Sequence, residues 1–152
     1  MLPAQLAPVV HRLKGNHDFG TSNLLQCVLA RALESGHFAS HLTALRRRYA
    51  EKAAVMGEAL KQHAAGLLEW SEPRGGLYYW ARLRGPGRTG PQSRIFQAAL
   101  KRDVLYVPGL LCYADDPTRS KPDTEFRLSF GSAPEAGIRE GIARLARAIR
   151  AC

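Results

Sequence analysis

Apolar residues recur along this chain at two different periods, and the change falls near Leu67. Before it, the spacing is helical. In "FGTSNLLQCVLARALESG", Leu24, Leu25, Val28, Leu29, Ala32 and Leu33 line up behind Thr21 or Ser22 as N-cap, and Gly36 is placed to end the helix. A second helix is predicted from about Phe38 to Ala65, with Leu42, Leu45, Tyr49, Ala53, Met56 and Leu60 on one stripe. Arg46, Arg47, Lys52 and Lys61 then form its wet face. Ahead of both, "MLPAQLAPVVHRLKG" reads as a piece of helix: it has no positive residues before its apolar part and no small-residue cleavage site, so it is not read as a signal peptide.

Beyond Leu67, aromatic and β-branched residues take over. "LLEWSEP" and "GGLYYWARL" are strand candidates joined by the turn "PRGG", and "GPGRTGP" is a plain loop. A helix is predicted from about Gln92 to Arg102, then a short strand "VLYV" ended by Pro108-Gly109. The long irregular stretch "LLCYADDPTRSKPD" precedes a last strand, "EFRLSF", and Pro134 opens a final helix with Glu135 in its first turn and arginines in its last. The order is helix, helix, strand, strand, helix, strand, strand, helix. It predicts an α+β fold, a small and mostly antiparallel sheet packed against helices. The 152 residues suit a single domain, with linking helices over 1–66 and an α/β part over 67–152.

Within "DTEFRLSFGS" the alternation puts Phe126, Leu128 and Phe130 on one strand face and Glu125, Arg127 and Ser129 on the other. Two readings of Arg127 stay open at this level. It points into water from a half-buried strand, or it points into a site and holds an anion through its planar fork. The long loop before its strand favours the second, because loops of that length in compact domains are often functional.

Charge modifies this picture only slightly. The formal net charge is +9, a balance typical of nucleic-acid binders. The arginines, however, are scattered over several helices with no interleaved aromatic residues, which makes nucleic acid an unfavoured partner for this segment. Cys27, Cys112 and Cys152 are an odd number at long spacings and form neither a disulfide framework nor a zinc pattern. Cys27 and Cys112 are expected to be buried or semi-buried thiols. No apolar run approaches the roughly 18–20 residues that span a membrane. These features together predict a cytoplasmic protein.

Other candidate chemistry is weak. His37 and His41 stand four apart on a helix, but a zinc site would need a third ligand, and none is suggested. The GxxG of "GPGRTGP" lies between a strand and a helix, not between the two helices a KH clamp requires. "PRGG" is followed by no Walker-type Lys-Ser/Thr. Catalytic and metal residues are therefore none.

Several segments in order, "DFGTSNLLQ", "WSEPRGGLYYW", "VLYVPGLLCY", "FRLSF" and the closing "IREGIARLARAI", give the chain a family resemblance. It resembles the C-terminal, small-domain part of a class I/II aminotransferase of fold type I, a pyridoxal-phosphate enzyme, over about Leu6 to Ile149. The similarity is to the branch holding the 2-aminoadipate and kynurenine aminotransferases and the aminotransferase-like half of MocR regulators. The resemblance implies that Arg127 grips the α-carboxylate of an amino-acid substrate. It implies that Gly75-Gly76 form the turn before the central strand, and that Pro108-Gly109 lead into a 109–123 loop that helps close the site. It places Thr21 and Ser22 in a segment near the dimer interface and the cofactor.

The same resemblance sets limits. The family's Schiff-base lysine, and the aspartate that pairs with the pyridine nitrogen, belong to a large domain preceding the region seen here. Lys14, Lys52, Lys61, Lys101 and Lys121 lack that lysine's context. The chain is thus expected to be part of a transaminase that moves an amino group between an amino acid and a 2-oxo acid as a homodimer. By itself it is expected to be inactive, to bind no cofactor and to associate with itself through exposed apolar surface, with Arg127 facing solvent. One alternative is the effector-sensing tail of a MocR/GntR-type transcriptional regulator; another is a stand-alone basic nucleic-acid-binding module.

Overall fold

The computed structural model describes residues 2–19 and 21–152; Met1 and Gly20 lie outside the described residues. The chain divides into two compact units, one ending at Ala44 and the other running from Leu45 to Cys152. Among the described residues no helix is long and apolar enough to cross a membrane.

The first unit is helical. Helix α1 spans Ala7–Asp18 and helix α2 spans Asn23–Glu34, with Ser22 at the α2 N-cap position. Gly36, at φ +75°, ends that turn of chain as predicted, since a left-handed residue costs glycine nothing. Helix α3, Phe38–Ala64, starts in this unit and continues into the next. No residue of α1 or α2 is buried, so Leu24, Leu25, Val28, Leu29 and Leu33 remain exposed.

The second unit is an α+β layer pair. Strands β1 (Leu68–Ser71), β2 (Tyr78–Leu83), β3 (Val107–Pro108) and β4 (Glu125–Ser129) form one antiparallel sheet in the order β1-β2-β4-β3. Helices α4 (Arg94–Leu100) and α5 (Glu135–Arg150) follow β2 and β4. One sheet face, carrying Leu68, Tyr79, Ala81, Leu83, Phe126 and Leu128, packs against Met56, Ala59 and Leu60 of α3, Ile95 and Ala99 of α4, and Ile138, Ile142 and Leu145 of α5. Those side chains supply the hydrophobic drive for this unit.

Three expectations need correction. Lys52 is not on a wet face: it is 7% exposed, and its ammonium donates to the Gly131 carbonyl at 2.9 Å. Its apolar stem adds to the buried side of α3 while the head finds an acceptor at the end of β4. The strand expected over "VLYV" is reduced to Val107–Pro108. Asp103 is left-handed and the Val104 amide bonds to Ala99, which leaves 104–106 in the exit from α4, with Tyr106 turned into the core. Cys27 and Cys112 are exposed, not buried, because α2 buries nothing and Cys112 opens a surface loop.

The loop "GPGRTGP" is more than a linker. Thr89 is fully buried; its hydroxyl donates to the Glu125 carbonyl at 2.8 Å, and its carbonyl accepts from the Tyr106 hydroxyl at 2.9 Å. The Asp123 carboxylate accepts from the amide of Gly90 at 2.6 Å and of Thr89 at 3.3 Å. This loop therefore fixes the entry into β4.

Candidate functional site

The sheet face opposite the apolar core is the polar one. Because side chains alternate along a strand, it carries Glu69 and Ser71 from β1, Tyr78, Trp80 and Arg82 from β2, and Glu125, Arg127 and Ser129 from β4. Arg127 sits at its centre, opposite Trp80 on one side and Val107 on the other. The pairing with β3 requires a close approach at the next residue: a Cβ on Gly109 would lie 2.7 Å from the Glu125 carbonyl oxygen. That contact explains the glycine of the Pro108-Gly109 pair.

Arg127 is half-buried and stands in no ion pair or hydrogen bond among the described residues. Its Nε is buried without an acceptor. Its guanidinium carbon lies over the Tyr78 ring, 4.2 Å from the centroid. The side chain is therefore not free in solvent, as an isolated chain was expected to leave it, but is held against a ring. A buried donor with no partner is costly, and a guanidinium in that state is well suited to accept an anion from outside the chain.

The acids on the same face are already engaged. Glu69 pairs with Arg82, and the hydrogen bond and charge of that guanidinium hold the Glu69 carboxyl below its ordinary value. Glu125, two residues from Arg127, accepts a 2.5 Å hydrogen bond from the Tyr113 hydroxyl. That bond raises the Tyr113 phenol above its usual range. Tyr113 comes from the long loop, and its ring meets Trp80 edge-on at 6.1 Å. The loop is thus tied to the open face beside Arg127. Two larger cavities, of about 490 and 590 Å³, contain neither Arg127 nor its neighbours on this face.

Thr21 and Ser22, the other site residues expected from the sequence, belong to the first unit. Thr21 is exposed and accepts a hydrogen bond from Lys14 Nζ at 2.5 Å; Ser22 occupies the α2 N-cap without a side-chain cap bond. Gly20, in the same 18–22 segment, lies outside the described residues. The Gly75-Gly76 turn joins β1 and β2, with Gly76 at φ +77°.

Sequence reasoning named Arg127 and set Glu125 on its strand face, but missed Tyr78, Trp80 and Tyr113 as its surroundings. The alternation in "LYYWARL" carried the signal for two of them, since it separates Tyr78 and Trp80 from the buried Tyr79 and Ala81. Tyr113 could not be placed this way, because a loop has no period.

No family model matches the chain. It is 32% identical over 149 residues to the 2-aminoadipate transaminase of Thermus thermophilus, covering 97% of this chain and 35% of that protein. It is also 32% identical over 146 residues to the uncharacterized HTH-type transcriptional regulator YisV of Bacillus subtilis, covering 94% of this chain and 28% of that one. Among solved structures, the α-aminoadipate aminotransferase LysN of Thermus thermophilus, complexed with N-(5'-phosphopyridoxyl)-L-leucine, superposes with a TM-score of 0.82 at 28% identity. That match covers 99% of this chain and 37% of LysN. The chain spans about a third of the length of the curated relatives it matches, 28% and 35% in these two cases.

Proposed function

We propose a function on the premise that this chain belongs to the fold type I, pyridoxal-phosphate aminotransferase-like proteins, whose C-terminal domain its fold matches. It acts as the C-terminal portion of a transaminase that moves an amino group between an amino acid and a 2-oxo acid. Its own contribution is Arg127, which holds the α-carboxylate of the substrate. The observation that carries this reading is the half-buried guanidinium on an open face, with a buried Nε that has no acceptor. A carboxylate supplies two oxygens for such a fork, and the pairing fixes the substrate's orientation as well as its position.

When bound, pyridoxal phosphate supplies the electron sink that makes the substrate's Cα–H bond labile. The residues present do not fit it as a covalent anchor. Lys14 pairs with Asp18, Lys52 with the Gly131 carbonyl, Lys61 with Glu72 and Lys121 with Asp115, while Lys101 caps α4. No strand residue of the face that carries Arg127 is a lysine, which supports a Schiff-base lysine supplied from outside these residues and a chain inactive by itself. Thr21 and Ser22 offer hydroxyls that would approach the cofactor in the assembled protein. In this reading 1–66 link and 67–152 form the small domain of a cytoplasmic homodimer, and the 109–123 loop shields the substrate from water.

A second reading is favoured by the likeness to YisV. There the same Arg127 would recognise an amino-acid effector within a transcriptional regulator. Expression of the longer reading frame that contains this chain separates the two. Transfer of an amino group from an amino acid to a 2-oxo acid supports the enzyme; DNA binding modulated by an amino acid, without transfer, supports the regulator. A product with neither property overturns both.

A further inference from the structure

Arg127 needs something to hold its fork in one plane before a carboxylate arrives. Arginines are usually fixed by acceptors, but an acceptor would occupy the N–H groups and offset the charge that the ligand must meet. The two acids on this face are drawn away from Arg127. Glu69 pairs with Arg82 and Arg84, and Glu125 accepts from Tyr113. What touches the guanidinium is a ring: its central carbon lies 4.2 Å from the centroid of Tyr78.

The sheet register places that ring deliberately. Tyr78 pairs with Ser129 and Trp80 with Arg127, so Tyr78 is the diagonal neighbour of Arg127 across β2 and β4, within reach of a long side chain. Tyr78 stays 42% exposed, so burial does not account for an aromatic residue there. Its hydroxyl makes no hydrogen bond among the described residues, which leaves the ring face as its working part. A ring face attracts the cation and restrains its plane while leaving the N–H edges free.

We infer that Tyr78 is a positioning residue for Arg127, stacking on the guanidinium so that its N–H edge is presented to a carboxylate. The inference rests on the carboxylate-binding reading of Arg127. It assigns the work to the ring and none to the hydroxyl, and it gives Tyr78 no contact with the reacting atoms.

The test uses this chain labelled with nitrogen-15, read at the Arg127 Nε–Hε resonance. Two quantities are measured: its heteronuclear NOE, which reports order, and its shift on titration with acetate, with chloride at matched ionic strength as control. Wild type and Tyr78→Phe should give an ordered signal and a saturable acetate shift. Tyr78→Leu should lower the NOE to that of the exposed Arg88 and weaken acetate binding about two- to fivefold. Tyr78→Thr, a β-branched residue suited to a strand, carries the same expectation should the leucine variant fold poorly. The inference is overturned if both truncated variants keep wild-type order and affinity, or if Tyr78→Phe loses as much as they do. A wild-type chain with no saturable acetate shift, or one that Arg127→Gln leaves intact, overturns the carboxylate reading itself.

Discussion

The hydroxyl of Thr89 donates to the backbone carbonyl of Glu125 across 2.8 Å, in a part of the structure where Thr89 has no exposed surface. That bond holds β4 two residues before Arg127 and ties it to a loop more than thirty residues earlier. Thr89→Val keeps the shape and removes the donor, leaving a buried carbonyl short of a partner. The expected cost is about 1–3 kcal/mol, read as a lower urea midpoint at unchanged slope. A midpoint equal to wild type would mean that Glu125 is held by its strand partners alone.

Gly109 comes close to the same carbonyl. A Cβ there would stand 2.7 Å from the Glu125 oxygen and 2.9 Å from its carbon, and both are backbone atoms that cannot swing away. Gly109→Ala should therefore force β3 off β4 and cost roughly 1–3 kcal/mol by overpacking. Amide exchange at Arg127, whose strand partner is Val107, should speed up together with the loss of stability.

How much of this was legible in the sequence depends on the kind of residue. The alternation of Phe126, Leu128 and Phe130 against Arg127 was readable because a strand in a two-layer fold has one wet and one dry side. Helix α3 was readable over nearly its full length, yet Lys52 was misplaced, since binary patterning counts a lysine as polar and ignores its apolar stem. The expected strand "VLYV" failed because local β-propensity could not foresee that Tyr106 would turn inward to reach Thr89. The Thr89–Glu125 and Tyr113–Glu125 bonds tie β4 to loops without periodicity, and no spacing rule reaches them.

Tyr113 and Glu125 form the tie between the long loop and the open face. Tyr113→Phe removes the hydroxyl while keeping the ring against Trp80. Trypsin should then cut after the exposed Arg119 about two- to fivefold faster, the size expected when a single hydrogen bond at the surface is lost. Unchanged cleavage would show that the ring contact alone secures the loop.

Stability should fall at both ends of the pH range, for different reasons. The Glu72 carboxyl is held below its ordinary 4.5, first by the hydrogen bond from Tyr79 and then by Lys61. The unfolded chain takes up a proton there before the folded one does, so this contribution is present above 4.5 and is lost as the pH falls below it. The Tyr79 phenol is pushed above its ordinary 10.0 by burial and by Glu72. The unfolded chain releases that proton first, so stability declines as the pH rises past 10.0. Glu72→Gln should flatten the acid limb and Tyr79→Phe the alkaline limb of urea midpoints measured against pH. Steep limbs in both variants would assign the dependence to other groups.

The most direct measurement compares two substrates in the longer protein proposed above: an amino acid, and the amine that lacks only its carboxylate. Two charge-assisted hydrogen bonds from Arg127 should be lost in Arg127→Gln for the first substrate and for the first alone. The expected result is a fall in kcat/KM of about a hundredfold or more for the amino acid, with the amine changed by less than about twofold. An equal fall for both substrates, or none for the amino acid, would contradict the assignment of Arg127 as the carboxylate-binding residue.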